Sequence, residues 1–279
     1  MNWLKVFAAL LIVMLGILSC KEIPVNIGDP LIPESDKIVL IEELTGASCP
    51  NCPKGNIISE NIISTFPGKV AVVAIHGDFL AQPIEGKSKY DFRNQKAKDL
   101  ENWFKPWYGK PAASINRTRT NDDQEPFAIS RSDLWQSVVE KELQKPHVLN
   151  ILLASGYNET DRNIELDITA IPIVHLEGSY NISIFLTESE IIDAQSNGSE
   201  YIDNYEHNHV LMDMLTGFDG DSFGHDLKAN DLIKRKYTYT LPLRAGLFNP
   251  DHMEFIVMIS RNDPGDRTVI QAAYISVKG

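Results

Sequence analysis

Cys49 and Cys52 stand two residues apart in the stretch Glu42-Glu43-Leu44-Thr45-Gly46-Ala47-Ser48-Cys49-Pro50-Asn51-Cys52-Pro53. Two thiols at that spacing can close a disulfide and exchange it, because a thiolate is the nucleophile in that reaction. Three chemistries fit the pair: a redox dithiol, a static structural disulfide, or half of a metal site. The chain has 3 cysteines in all, so no second pair exists to complete a zinc site. Covalent haem attachment needs a histidine directly after the second cysteine, and Pro53 stands there. No metal and no cofactor is expected.

The elements that must position the pair are legible on both sides. Ile38-Val39-Leu40-Ile41 is a short, unbroken apolar run rich in β-branched residues, which predicts a buried strand. Asn56 to Phe66 has helical character, and Pro53 suits a first helical turn, where no N–H is required. A cysteine at that helix start meets unpaired N–H groups and the positive end of the dipole, and both favour the thiolate. Glu42 and Glu43 are adjacent in the strand, so they point to opposite faces, and only one of them is expected to face inward.

Further along, Lys69 to His76 predicts a second buried strand, and His76 at its end is a candidate neighbour of the cysteines. Ser88 to Phe104 is a polar helical stretch stopped by Pro106. Pro111 then opens a short strand of small residues, and a helix with Ser130 or Ser132 as its N-cap runs to Pro146. From His147 onward about seven strand-like runs are separated by turn signals, which predicts a β-sandwich. Within it His207, His209 and Asp213 would share one strand face, a spacing able to hold a metal but lacking a third clear ligand. Asp219-Gly220-Asp221 reads as a turn, since its spacing does not fit an EF-hand loop.

The chain has 279 residues and a formal charge of −12 with no basic cluster, which argues against nucleic acid as a partner. Its start carries Lys5 and then a nearly unbroken apolar run, Val6 to Leu18, too short to span a membrane comfortably. Ile17-Leu18-Ser19-Cys20 resembles the bacterial lipobox, which implies cleavage before Cys20 and acylation of that cysteine. Such an anchor ties the protein to a membrane, and it leaves Cys49 and Cys52 as the remaining thiols in an oxidising compartment. The expected organisation is a signal peptide at 1–19, acylated Cys20 and a Pro- and Gly-rich tether at 20–35, a mixed α/β domain at 36–145 and an all-β domain at 146–279.

The order strand, CxxC, helix, strand, helix, proline, strand, helix resembles the thioredoxin fold. The expected fold class is therefore an α/β thioredoxin-like domain followed by an immunoglobulin-like β-sandwich. That resemblance implies a cis bond before Pro111, which would pack beside the cysteines. It also implies a buried carboxylate six residues before the first cysteine, the position of Glu43, able to take the proton of the resolving thiol. By the same resemblance Cys49 attacks and Cys52 resolves. The pair Pro50-Asn51 and the preceding Ser48 depart from the thioredoxin pattern.

The lipobox, the segment through the two cysteines and Tyr205-Glu206-His207-Asn208-His209-Val210-Leu211 together resemble the twenty-eight-kilodalton outer-membrane lipoprotein family of Bacteroidetes. This implies an outer-membrane location and no settled activity. Two functions are expected from these readings. One is thiol–disulfide exchange on exported proteins through Cys49, Cys52, Glu43 and Pro111. The other is a surface binding or adhesion module in which the disulfide is only structural and the partners are surface ligands.

Overall fold

The structure is a computed structural model that describes residues 35–119 and 127–279. The leader, Cys20 and nearly all of the tether lie outside the described residues. Strand β1 (Val39–Thr45) pairs in parallel with β2 (Val70–His76) and antiparallel with β3 (Ala112–Ile115), which in turn pairs with β4 (Ala128–Ile129). Three helices accompany them: α1 (Cys52–Thr65), α2 (Gln95–Trp103) and α3 (Trp135–Leu143). The Asn94 side chain caps α2 by accepting from Ala97 N. A 3-10 turn, Ser132–Leu134, leads into α3; Ser130, expected as a cap, donates instead to Gly109 O.

Every residue of β1 is buried, because both faces of the strand are covered. Val39 and Ile41 pack with Ile62 of α1 and with Trp135 and Val139 of α3. Leu40 and Leu44 pack on the other side with Leu100 and Phe104 from the α2 segment and with residues far along the chain, Phe185, Leu211 and Ile256. This two-sided burial explains why the run reads as continuous rather than alternating.

The later strands are β5 (Leu149–Asn158), β6 (Asn163–Pro172), β7 (Leu176–Glu188), β8 (Ile191–Asn197), β9 (Glu200–His207), β10 (Val210–Met214), β11 (Asp221–Leu227), β12 (Ile233–Thr240), β13 (Met253–Arg261) and β14 (Val269–Ser276). They overturn the expected fold class. A thioredoxin-like domain followed by a separate immunoglobulin-like sandwich is not what forms. Instead strands from both halves share one 9-stranded mixed sheet, in the order β14-β13-β7-β10-β2-β1-β3-β4 with β11 on β7.

The join is physical. The edge of β2 that a free-standing domain would leave open is taken by β10: Val210 pairs with Ala74, and Ala74 N donates to His209 O at 2.8 Å. Val269 N donates to Asn116 O at 2.9 Å, tying β14 to the end of β3. Sequence periodicity reports which face of a strand is buried, not which strand lies beside it, so this sharing was invisible.

A 3-stranded antiparallel sheet, β12-β6-β5, buries Ile164, Leu166 and Ile168 against Tyr180, Ile182 and Val257 of the large sheet. Strands β8 and β9 form a 2-stranded hairpin of their own. The expected single strand through His207, His209 and Asp213 is two strands. The chain breaks at Asn208-His209, where His209 takes a left-handed φ of 56°. That break removes the common face proposed for His207, His209 and Asp213.

Candidate functional site

The loop between β1 and α1 carries the cysteines, and Cys49 and Cys52 are joined as a disulfide. Gly46 opens the loop because nothing larger fits: a Cβ there would lie 2.2 Å from Leu80 O. The segment after β2 therefore presses directly on it, and Ser48 Oγ donates to Gln82 O. Within the loop Cys49 N donates to Gly46 O at 3.0 Å and Cys52 N to Cys49 O at 3.3 Å. Pro53 sits in the first turn of α1.

Both cysteines have a relative exposure of 0%. The β8–β9 hairpin lies against their loop, attached through backbone groups and one side-chain amide. Ser196 N donates to Ala47 O at 2.8 Å and Gly198 N to Pro50 O at 2.9 Å. Gln195 Nε2 donates to Cys49 O at 3.0 Å and to Gly46 O at 3.2 Å. The hairpin thus lies along the cysteine loop much as an added strand would. Gln195 and Ser196 carried no signal in the sequence beyond the Asn197-Gly198 turn that follows them.

Glu43 and Pro111 meet at α1. Glu43 lies opposite Ala113 of β3 and is buried, and its Oε2 accepts from Ser59 Oγ at 2.7 Å. A Cβ on Gly55 would stand 2.6 Å from Pro111 Cβ and 2.9 Å from Glu43 Oε1, so glycine is what lets the helix approach both. The Lys110–Pro111 bond is cis. Burial pushes the Glu43 carboxyl up to about 7; the Ser59 hydrogen bond opposes this, and nearby Glu60 adds to it.

Asn56 connects this group to the cover. With its amide oriented to suit its neighbours, Nδ2 donates to Glu43 Oε1 at 2.8 Å and to Cys52 O at 3.2 Å, while Oδ1 accepts from the Tyr205 hydroxyl at 2.8 Å. A cavity of about 370 Å³ opens beside them, lined by Glu43, Asn56, Glu60, Tyr205 and His209 among others.

The expectation that only one of the paired glutamates faces inward fails, because β1 has no solvent face. Glu42 is also buried, on the opposite side, where Arg117 grips it with two nitrogens at 2.6 and 2.8 Å. The guanidinium lies over the Trp103 ring at 4.7 Å. Lys110, just before Pro111, donates to Thr45 O at 2.7 Å and pairs with Glu101 at 2.8 Å. Its burial lowers its pKa, with Glu101 pulling the other way.

His76 is buried at the end of β2 and faces His207 of the hairpin, with ring centroids 5.9 Å apart. Phe92 packs on both rings, at 5.1 Å and 4.8 Å. Among the described residues, His76 Nδ1 and His207 Nε2 find no hydrogen-bond partner. Desolvation holds His76 well below its usual range and His207 down at about 4, so both are neutral imidazoles in an apolar setting. Among the described residues, no three His, Cys, Asp or Glu side chains cluster to hold a metal ion.

A disulfide sealed in this way is chemically quiet, because exchange requires a thiolate to reach a sulfur. The acid beside α1 and the cis proline are in place, but the bridge they accompany is shut away from solvent.

Comparison with known proteins places the chain. Structures of similar fold include that of HBP35 of Porphyromonas gingivalis, with a TM-score of 0.67 and 13% identity, covering 88% of this chain and 77% of that one. Another is a protein from Agrobacterium tumefaciens, with a TM-score of 0.54 and 12% identity, covering 88% of this chain and 96% of that one. A domain of the outer membrane lipoprotein Omp28 from Porphyromonas gingivalis overlaps more loosely, with a TM-score of 0.33 and 14% identity over 48% of this chain and 90% of that one. No curated protein matches the sequence. No helix among the described residues is long and apolar enough to cross a membrane. The family model of outer membrane protein Omp28 matches residues 97–278. The chain belongs to the Omp28 family of outer membrane proteins.

Proposed function

We propose that this outer-membrane lipoprotein is a binding module for ligands outside the cytoplasm, in which the Cys49–Cys52 bridge is structural. The observation that carries this reading is the complete burial of both cysteines beneath a hairpin hydrogen-bonded to their own loop. The bridge then serves to fix the loop on which the hairpin rests. The shared sheet supports the reading as well: most of its strands lie beyond the cysteine segment, and thiol chemistry does not call for them. Acylation at Cys20 would supply the anchor, with the described part of the chain facing its ligands.

The second reading is thiol–disulfide exchange on exported proteins. Cys49 would attack, Cys52 would resolve, Glu43 would take the proton and Pro111 would shape the groove. One observation favours it: Glu43 is held near neutrality, where a proton acceptor works best, against the helix that begins at Cys52. It ranks second because the sulfurs are covered.

Insulin reduction by the purified protein separates the two. The binding reading expects no rate above that of a Cys49→Ser control, and ligand capture unchanged when both cysteines are replaced. Reduction well above the control overturns it.

A further inference from the structure

We propose that the β8–β9 hairpin is a displaceable cover that controls the access of small dithiols to the Cys49–Cys52 bridge. The proposal goes beyond the binding reading. That reading concerns what the closed protein does, and this one concerns what opens it.

The hairpin is built to be separable. It pairs with no strand of either larger sheet, and a two-stranded ribbon alone is marginal in water. Most of β9 is exposed. Its base is anchored by buried Ile191, Ala194 and His207 and by buried Asp193, which accepts from Lys89 N and Tyr90 N, whereas the tip against the cysteine loop is held mainly by polar contacts. Those contacts are the bonds from Gln195, Ser196 and Gly198 to the loop carbonyls, the Tyr205–Asn56 bond, and a Lys87–Asp203 pair at 2.7 Å on the surface. An exposed pair of that kind adds little. Segments with few apolar contacts open before the packed core does.

Opening the tip has one chemical consequence. A thiolate of an incoming dithiol attacks one bridge sulfur; a mixed disulfide forms, the protein's S–S bond breaks, and the other cysteine leaves as thiolate. The donor's second thiolate then displaces the first cysteine. The donor departs as a disulfide, having given two electrons, and its two protons end on Cys49 and Cys52.

The test uses the full oxidised protein and dithiothreitol, with the thiols released by the bridge counted over time. Amide exchange at Ser196 and Gly198 is followed in parallel as a report on the cover. Gln195→Ala removes the side chain that bonds both Gly46 O and Cys49 O. Its reduction rate is expected to rise about 10-fold, the size of one or two lost hydrogen bonds. Exchange at the two amides should accelerate to match, with the global unfolding free energy of the chain lowered by no more than that same factor, about 1.4 kcal/mol. Tyr205→Phe, which loses only a hydroxyl, should move both readouts the same way and serves if the first variant folds poorly. Faster amide exchange without faster reduction overturns the proposal. So does a wild-type reduction rate equal to that of the urea-unfolded chain. Neither result touches the binding reading, which stands or falls on protein substrates and ligand capture.

Discussion

Replacing Glu43 by glutamine isolates the energetics of the carboxyl beside α1. Its pKa rises from an ordinary 4.5 to about 7 in the folded protein, chiefly through burial. Between those values the folded chain holds a proton that the unfolded chain has released, so stability falls as pH rises through the window. The gap corresponds to about 3 kcal/mol, fully expressed above pH 7 and absent below pH 4.5. Glutamine cannot ionise, and its carbonyl can still accept from Ser59. Asn56 need only turn its amide to meet the new NH₂ group. Urea unfolding of both proteins at pH 4, 6 and 8, with the bridge intact, gives the comparison. Glu43→Gln should match the wild type at pH 4 and exceed it by about 3 kcal/mol at pH 8. An offset that does not change with pH, or a wild type that is the more stable at pH 8, would refute the reasoning. The latter would mean that the ionised carboxylate is favourably partnered.

Other perturbations follow from neighbouring contacts. His207, held at about 4 against an ordinary 6.5, takes fewer protons folded than unfolded in that window, so its contribution to stability is lost as pH falls from 6.5 to 4. That slope, and one of the same sign from His76, oppose the one from Glu43, and urea titrations of Glu43→Gln should unmask them, with the His207 share about 1.4 kcal/mol per pH unit. Arg117→Met strands the buried Glu42 carboxylate and should cost about 3–5 kcal/mol by urea unfolding, with much of it recovered when Glu42→Leu is added. Gly55→Ala drives a methyl into Pro111 and should destabilise by about 1–3 kcal/mol, read as a lowered urea midpoint.

How much of this was written in the chain varies by kind of evidence. The cysteine loop was legible because Cys49, Cys52 and Pro53 follow a β-branched run and precede a helix, and local chemistry fixes such a unit. Strand alternation pointed to one inward glutamate and the thioredoxin resemblance picked Glu43; that Glu42 is buried as well was not legible. Its partner Arg117 lies far along the chain, and only the fold brings the two together. The shared sheet escaped because β2 and β10 each read as an ordinary apolar run; nothing in Val70 to His76 says that Val210 will lie beside Ala74. The hairpin escaped for the same reason. Gln195 and Ser196 act through a side-chain amide and a backbone N–H, and their reach to Gly46, Ala47 and Cys49 is purely tertiary. The His207–His209 segment misled because a strand period was run through Asn208-His209, where the backbone turns left-handed.

The central claim is that the cysteines are a covered structural bridge and not an exchange site for other proteins. Cys52→Ser, produced in cells with its anchor intact and quenched with acid, tests it most directly, because an attacking Cys49 would then hold its partners covalently. Non-reducing gels are expected to show the variant as a single band, matching the form with both cysteines replaced. A ladder of reducible adducts that disappears when Cys49 is also changed would contradict the account.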